Sequence, residues 1–291
     1  MPQKPSPAKI IIFDTTMRDG ELTPGVKMTL QDKLQLAKVL EAMQVDVMEV
    51  GYPGVFPKDF EEIRAISGII QQSIICGLAG SKSEEILYLA QALKPAARSR
   101  INLYTPVNLP ENSEIEEQQL LEVIRDSISL ARNHCADIEW SAFAAPRSKP
   151  DFLCKAVEVA IHSGATTISI PDTFGSLAPQ EFSGLIEMIA HRVPNIERAT
   201  IAVHCHNDQG LAVANSLAAL AGGARQIECS VNGLGARKGN ADLAEVVMAI
   251  TKAQGYRVDL EPSLLPQASE LVGHLTKSDG EANSLKELEE I

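Results

Sequence analysis

Short runs of β-branched and other apolar residues recur along the chain, and each is followed by a stretch whose apolar positions are spaced three and four apart. The runs are KIIIFD near Ile10, VDVMEVG near Val45, QSIICGL near Ile74 and RINLYTP near Ile101. ADIEWSA near Ile138, TTISIPD near Ile168, TIAVHCH near Val203 and QIECSVNG near Ile227 complete the set. The intervening segments, such as LQDKLQLAKVLEAM, LLEVIRDSISLA and DLAEVVMAITKA, have the period of amphipathic helices. Strand and helix therefore alternate eight times, and strands joined through helices pair in parallel. Right-handed crossovers leave an open doubly wound sheet or a closed barrel. Eight units in about 245 residues fit the barrel, and no GxGxxG follows the first strand, so the pattern predicts a (β/α)8 TIM barrel over residues 1–257. After residue 257 proline breaks and one apolar segment around Leu271 predict a short helical extension and frayed tail over 258–291.

A barrel of this kind carries its chemistry at the C-terminal ends of its strands. Those ends are polar here: 14–21, Glu49, 102–108, 139–147, Asp172 and Thr173, 204–208, and 232–240. The opposite ends show no such density.

Composition narrows the partners. The 26 basic and 38 acidic side chains give a net charge of −12, which disfavours nucleic acid, and no basic stripe offsets it. No apolar run approaches the roughly 18 residues that span a bilayer, and the four apolar residues Ile10 to Phe13 are too few for a secretion signal. Five cysteines, an odd number without paired spacing, read as buried thiols of a reducing compartment, so the cytoplasm is expected.

Candidate chemistry follows from the strand ends. His204 and His206 stand two apart, so a strand places both imidazoles on one face and turns Cys205 into the wall. Such a pair can chelate an ion or simply satisfy itself with hydrogen bonds; the spacing favours neither, and a ligand set needs a carboxylate. The first strand ends in DTTMRDGE, which crowds Asp14, Arg18, Asp19 and Glu21 around Gly20. An ordinary loop with these charges would be a salt-bridged turn. At the active end, Asp14 or Asp19 can instead reach an ion held by the histidines, and Arg18 can hold a carboxylate or a developing oxyanion. Asn240 is placed to cap the following helix, while Gly233, Gly235 and Gly239 let backbone approach something closely. They form no Walker motif, although Arg237 and Lys238 suit an anionic ligand.

Taken together, FDTTMRDGELTPG, IPDTFG, VHCHNDQGLAVANSLAAL and NGLGARKGNADL resemble the DRE-TIM metallolyase superfamily, within it the 2-isopropylmalate, homocitrate and citramalate synthase branch. The similarity runs in consistent order over about residues 9–255. It implies a Claisen condensation, in which acetyl-CoA loses an α proton, its enolate attacks a 2-oxo acid, and the thioester is hydrolysed. It also implies a divalent ion (Mg, Mn or Zn) as Lewis acid and a homodimer. Carried over by position, Asp19, His204, His206 and Asn240 match metal ligands. Arg18 matches the arginine that stabilises the enolate or thioester oxygen. Thr173 matches a residue bonding the oxo acid's carboxylate, and Glu139 fits the substrate-binding position of the isopropylmalate and citramalate branch.

The chain departs from the pattern at three places. DGEQ becomes Asp19-Gly20-Glu21-Leu22; SxE, whose Glu belongs to the acid-base apparatus, becomes Ser141-Ala142-Phe143; and the histidine of IHxF becomes Asn102. Isopropylmalate synthases also continue into helical subdomains and a leucine-sensing domain, whereas this sequence ends near ELVGHLTK, as a compact relative or a fragment would. Two other readings stand beside the synthase: a lyase or aldolase on the same barrel, or a metal-binding homologue without condensation activity. A 3-hydroxy-3-methylglutaryl-CoA lyase is disfavoured, because the cysteine of its glycine-rich loop is replaced where Gly235 is followed by Ala236 and Arg237.

Overall fold

The computed structural model describes residues 6–109 and 114–274. Eight parallel strands close into a barrel in sequence order: β2 (Ile11–Asp14), β3 (Val47–Glu49), β4 (Ile74–Ala79), β5 (Ser99–Pro106), β6 (Ile138–Phe143), β7 (Thr167–Asp172), β8 (Thr200–Cys205) and β9 (Gln226–Cys229). β9 pairs back onto β2, with Ile12 opposite Ile227. The crossover helices are α1 (Leu30–Ala42), α2 (Lys58–Ser67), α3 (Ser83–Ala92), α4 (Glu114–Arg132), α5 (Pro150–His162), α6 (Pro179–Arg192), α7 (Ala212–Gly222) and α8 (Leu243–Lys252). All eight apolar runs thus form the expected barrel strands. A feature not expected is a two-residue parallel pair, β1 (Ala8–Lys9) with β10 (Tyr256–Arg257), which ties the first and last segments together outside the barrel.

Helix starts follow capping chemistry. Thr29 and Asp32 form a reciprocal box at α1, each accepting the other's backbone N–H, at 3.2 and 2.8 Å. At α8 the capping carboxylate is Asp242, which accepts Glu245 N–H at 2.9 Å. Asn240, for which a capping role was one of two readings, does not cap this helix. The described part of the extension continues from Leu260 into a helix over 265–274. That helix buries Ala268 and Val272, and Ser269 is bonded to Asn232 in the loop after β9. Residues 275–291 of the predicted extension lie outside the described residues. Among the described residues no helix is long and apolar enough to cross a membrane, and all five cysteines are buried and free.

The barrel interior is tiered. Arg100 on β5 bonds Gln226 on β9 at 2.8 Å, and those strands are far apart in the sheet, so the bond crosses the interior. Glu139 joins them at 2.8 Å from Arg100 and accepts twice from Gln226. One tier nearer the C-terminal ends lie Glu49, Asn102 and Ser141, linked in a chain: Ser141 Oγ donates to Asn102 Oδ1 at 3.0 Å, and Asn102 Nδ2 to Glu49 Oε1 at 3.1 Å. The period-two alternation of each strand sets the order of these tiers.

One buried cation braces the loop after β2. Lys33 of α1 is fully buried, with Nζ 2.7 Å from Glu21, 2.6 Å from Glu62 and 3.2 Å from the Val50 carbonyl. Lys33→Met keeps the volume but removes the buried cation shared by Glu21 and Glu62, leaving them only the half-exposed Lys58, 2.8 Å from Glu21 and 3.6 Å from Glu62. It is expected to cost about 3–5 kcal/mol, on the order of 10 °C in Tm. A Tm within 2 °C of the parent in a thermal melt, roughly the shift of 1 kcal/mol, contradicts that role.

Candidate active site

The residues after β2 turn into a single 3-10 turn, Asp19–Leu22, which drops Asp19 into the mouth of the barrel. Thr15 at the strand end donates to Glu49 at 2.8 Å, and the Asp19 N–H returns to Thr15 Oγ1 at 3.3 Å, so the turn is fixed to β3. Arg18 lies between two carboxylates, Nε to Glu49 at 2.6 Å and one Nη to Asp19 at 2.8 Å. Burial opposes a charged Asp19, but Arg18, His204, His206 and the Asn240 amide together hold its pKa well below the usual carboxylate range.

Opposite stand the two histidines. Their rings are 4.8 Å apart on one face, as the two-residue spacing predicted, and Cys205 is turned into the core. His204 Nδ1 is 3.0 Å from Glu228 on the neighbouring strand, which leaves Nε2 for a ligand. Burial lowers the pKa of His204 and pushes His206 down to about 4, aided at His206 by His204 and the two arginines Arg237 and Arg18. Both rings are therefore neutral, the ligating form, near pH 7. One ligand atom each from Asp19, His204 and His206 falls within 4.8 Å of the others.

Asn240 completes the cluster. Its Nδ2 donates to Asp19 at 2.7 Å and to the Leu234 carbonyl at 3.0 Å, and its Oδ1 is buried without a hydrogen-bond partner among the described residues. His206 Nδ1 is also buried without one. An unpaired buried amide oxygen and an unpaired buried imidazole nitrogen beside a charged carboxylate are costly in a folded protein unless a partner such as a cation meets them. The donor set fits a divalent metal ion. The glycine-rich loop owes its composition to the protein's own backbone: a Cβ on Gly239, at φ +90°, would lie 2.1 Å from the Gly233 carbonyl, and one on Gly235 2.4 Å from Asn240 Nδ2. These glycines press the loop onto Asn240. Arg237 is paired with Asp208 at 2.8 and 2.9 Å.

A cavity of about 980 Å³ opens over the cluster, and Arg18, Asp19, His204, His206 and Thr173 all line it. Thr173 Oγ1 accepts the Ala144 N–H at 3.0 Å, so its own O–H is left to donate. Of the expected site residues, Glu139 and Asn240 are not part of the cavity lining; Asn240 lies beneath it, bonded to Asp19. Glu139 sits in the lower tier with its oxygens bonded to Arg100 and Gln226, two residues and one tier below Ser141. Asp14, the alternative carboxylate for the ion, is also turned away. It accepts the N–H and hydroxyl of Thr16, and burial raises its pKa to about 7. Sequence reasoning placed Glu49 among the polar strand ends without a role and missed Glu228. Glu49 anchors Arg18, and Glu228 orients His204 while Ser169 donates to its other oxygen. Both are carboxylates inside apolar strands, and that pattern was their available signal.

The family model described as HMGL-like matches residues 9–272. A 2-isopropylmalate synthase of Rhodopseudomonas palustris (strain TIE-1) is 46% identical over 274 residues, covering 92% of this chain and 52% of the relative. One from Methylibium petroleiphilum is 46% identical over 275 residues, covering 92% and 54%. The chain thus spans about half the length of the curated relatives it matches. Among solved structures, an HMG-CoA lyase from Acinetobacter baumannii, in complex with coenzyme A and 3-methylmalate, superposes with a TM-score of 0.75 at 19% identity, covering 92% of this chain and 91% of that one. That likeness bears on the fold alone. The family match spans the whole barrel and every strand end that carries the cluster, and the chain belongs to the HMGL-like family.

Proposed function

We propose that the protein is a divalent-metal-dependent acyltransferase that condenses acetyl-CoA with a 2-oxo acid, in the manner of a 2-isopropylmalate synthase. The observation that carries this reading is the buried group of Asp19, His204 and His206, with the unpaired Oδ1 of Asn240 beside it, facing a cavity that Arg18 and Thr173 share. The 46% identity to 2-isopropylmalate synthases supports the choice of reaction. A cytoplasmic homodimer acting in amino-acid biosynthesis is the setting this reading carries.

Asp19, His204, His206 and Asn240 would hold the ion, which when bound supplies Lewis acidity to the oxo acid's ketone and carboxylate. The rest falls to the chain. Thr173 donates its hydroxyl hydrogen to the substrate carboxylate. Arg18, fixed by Glu49 and Asp19, presents its remaining N–H edge to the oxygen on which negative charge develops. Glu228 keeps His204 in the tautomer that leaves Nε2 for ligation. Phe143 and Asn102 cannot carry a proton, so the family's usual acid-base pair is absent from these positions. That absence favours the second reading, a metal-binding homologue without condensation activity.

Thiol release from acetyl-CoA, followed with DTNB across a panel of 2-oxo acids in the presence of Mg, Mn or Zn, separates the two. Metal-dependent release with at least one acid is expected. A metal-replete sample that releases no thiol with any acid overturns the synthase reading.

A further inference from the structure

The chain has only seven Phe, four Tyr and one Trp, yet Tyr52, Phe56, Tyr104, Phe143 and Phe174 line this single cavity. Four of them form a continuous arc. Tyr52 meets Tyr104 edge-on with centroids 6.0 Å apart, Tyr104 meets Phe143 at 6.2 Å, and Phe143 meets Phe174 at 6.3 Å and 74°. The guanidinium of Arg147 lies 3.6 Å from the far ring of the arc, Phe174. At the centre, Phe143 remains 37% exposed, an apolar ring left open inside a concave site. Rings spaced and tilted like these gain by receiving another ring edge to face. Exposed apolar area in a cleft is where a ligand is expected.

The arc adjoins the reacting centre. Phe143 follows Ser141 by two residues on the same strand face, and Ser141 is joined through Asn102 and Glu49 to Arg18 and Asp19. The residue after Phe143, Ala144, donates its N–H to Thr173, and Phe174 is the next residue after that threonine. The polar groups beneath the arc are spent on one another, since Ser141 bonds Asn102 and Asn102 bonds Glu49. Arg147 is turned onto Phe174. A methyl group would leave Phe143 wet.

We propose that the cavity takes a 2-oxo acid with an aryl side chain, and that Phe143 is the residue that determines this specificity. The inference rests on the reading that a 2-oxo acid binds beside Arg18 and the metal ligands. It assigns a use to the position where the family's acid-base Glu is replaced.

The test is calorimetric titration of the Mn2+-loaded protein with phenylpyruvate, 2-oxoisovalerate and pyruvate, and separately with coenzyme A. Phenylpyruvate is expected to bind at least tenfold more tightly than the other two acids. Phe143→Ala is expected to remove most of that difference by weakening phenylpyruvate about tenfold while pyruvate is nearly unchanged, with Phe143→Leu falling between. If 2-oxoisovalerate binds as tightly as phenylpyruvate, or Phe143→Ala weakens all three acids alike, the aryl assignment is overturned and the synthase reading stands. If Phe143→Ala weakens only coenzyme A, the arc receives adenine instead and the assignment again falls. If Mn2+ binds and none of the acids does, both readings fall together.

Discussion

Arg18→Lys is expected to lower kcat/KM for acyl transfer by about 10²–10³-fold, the usual consequence of losing one preorganised donor to a developing oxyanion, while Tm and metal content stay near those of the parent. The guanidinium does three things at once: it bonds Glu49 through Nε, bonds Asp19 through one Nη, and keeps an edge for the cavity. A lysine ammonium retains the charge between the two carboxylates but cannot span both and still present a planar edge to substrate. Arg18→Ala is the less informative change. It leaves Glu49 fully buried and Asp19 nearly so without their cation, which costs about 3–5 kcal/mol of stability, and its lost turnover would mix unfolding with chemistry. The lysine variant separates them. Near-parental kcat/KM in that variant contradicts a transition-state role for Arg18.

The contrast between Arg18 and Glu139 shows what a linear sequence carries of such a site. Apolar runs with the right spacing located all eight strands, because a strand buried on both faces reads as a β-branched run whatever its neighbours are. The histidine pair was legible for a similar reason: two residues on one strand share a face regardless of tertiary context. Depth was not legible. Glu139 and Ser141 point the same way from β6, and only the tilt and stagger of the closed barrel place one in a lower tier with Arg100 and Gln226 and the other beneath the cavity. Partners across strands were hidden too. Glu228 meets His204 because β8 and β9 pair in a register set by closure, and Asn240 reaches Asp19 across 221 positions of chain. A helix cap was one of the two readings of Asn240, and it was Asp242, two residues on, that took that task.

His206→Ala should uncouple stability from metal. The imidazole is buried, yet its Nδ1 has no hydrogen-bond partner and its pKa of about 4 keeps it neutral, so removing it breaks no ion pair. The metal-free variant is therefore expected to melt within a few degrees of the metal-free parent. The difference appears when metal is added. An ion present at a hundred times its Kd stabilises the folded state by about 2.7 kcal/mol, which raises Tm on the order of 5–10 °C in a chain of this size. With one of the three close ligands gone, affinity should fall by at least about 10²-fold, the upper end of what loss of a mere supporting residue costs, and at the same metal concentration most of that rise should vanish. Asp19→Asn provides the matching test from the other side of the barrel, since it keeps the shape and removes the charge that the two neutral imidazoles lack. If both variants retain the full metal-dependent rise in Tm and the parental metal content by mass spectrometry, the ion is held elsewhere. The unpaired atoms of His206 and Asn240 would then need a different explanation.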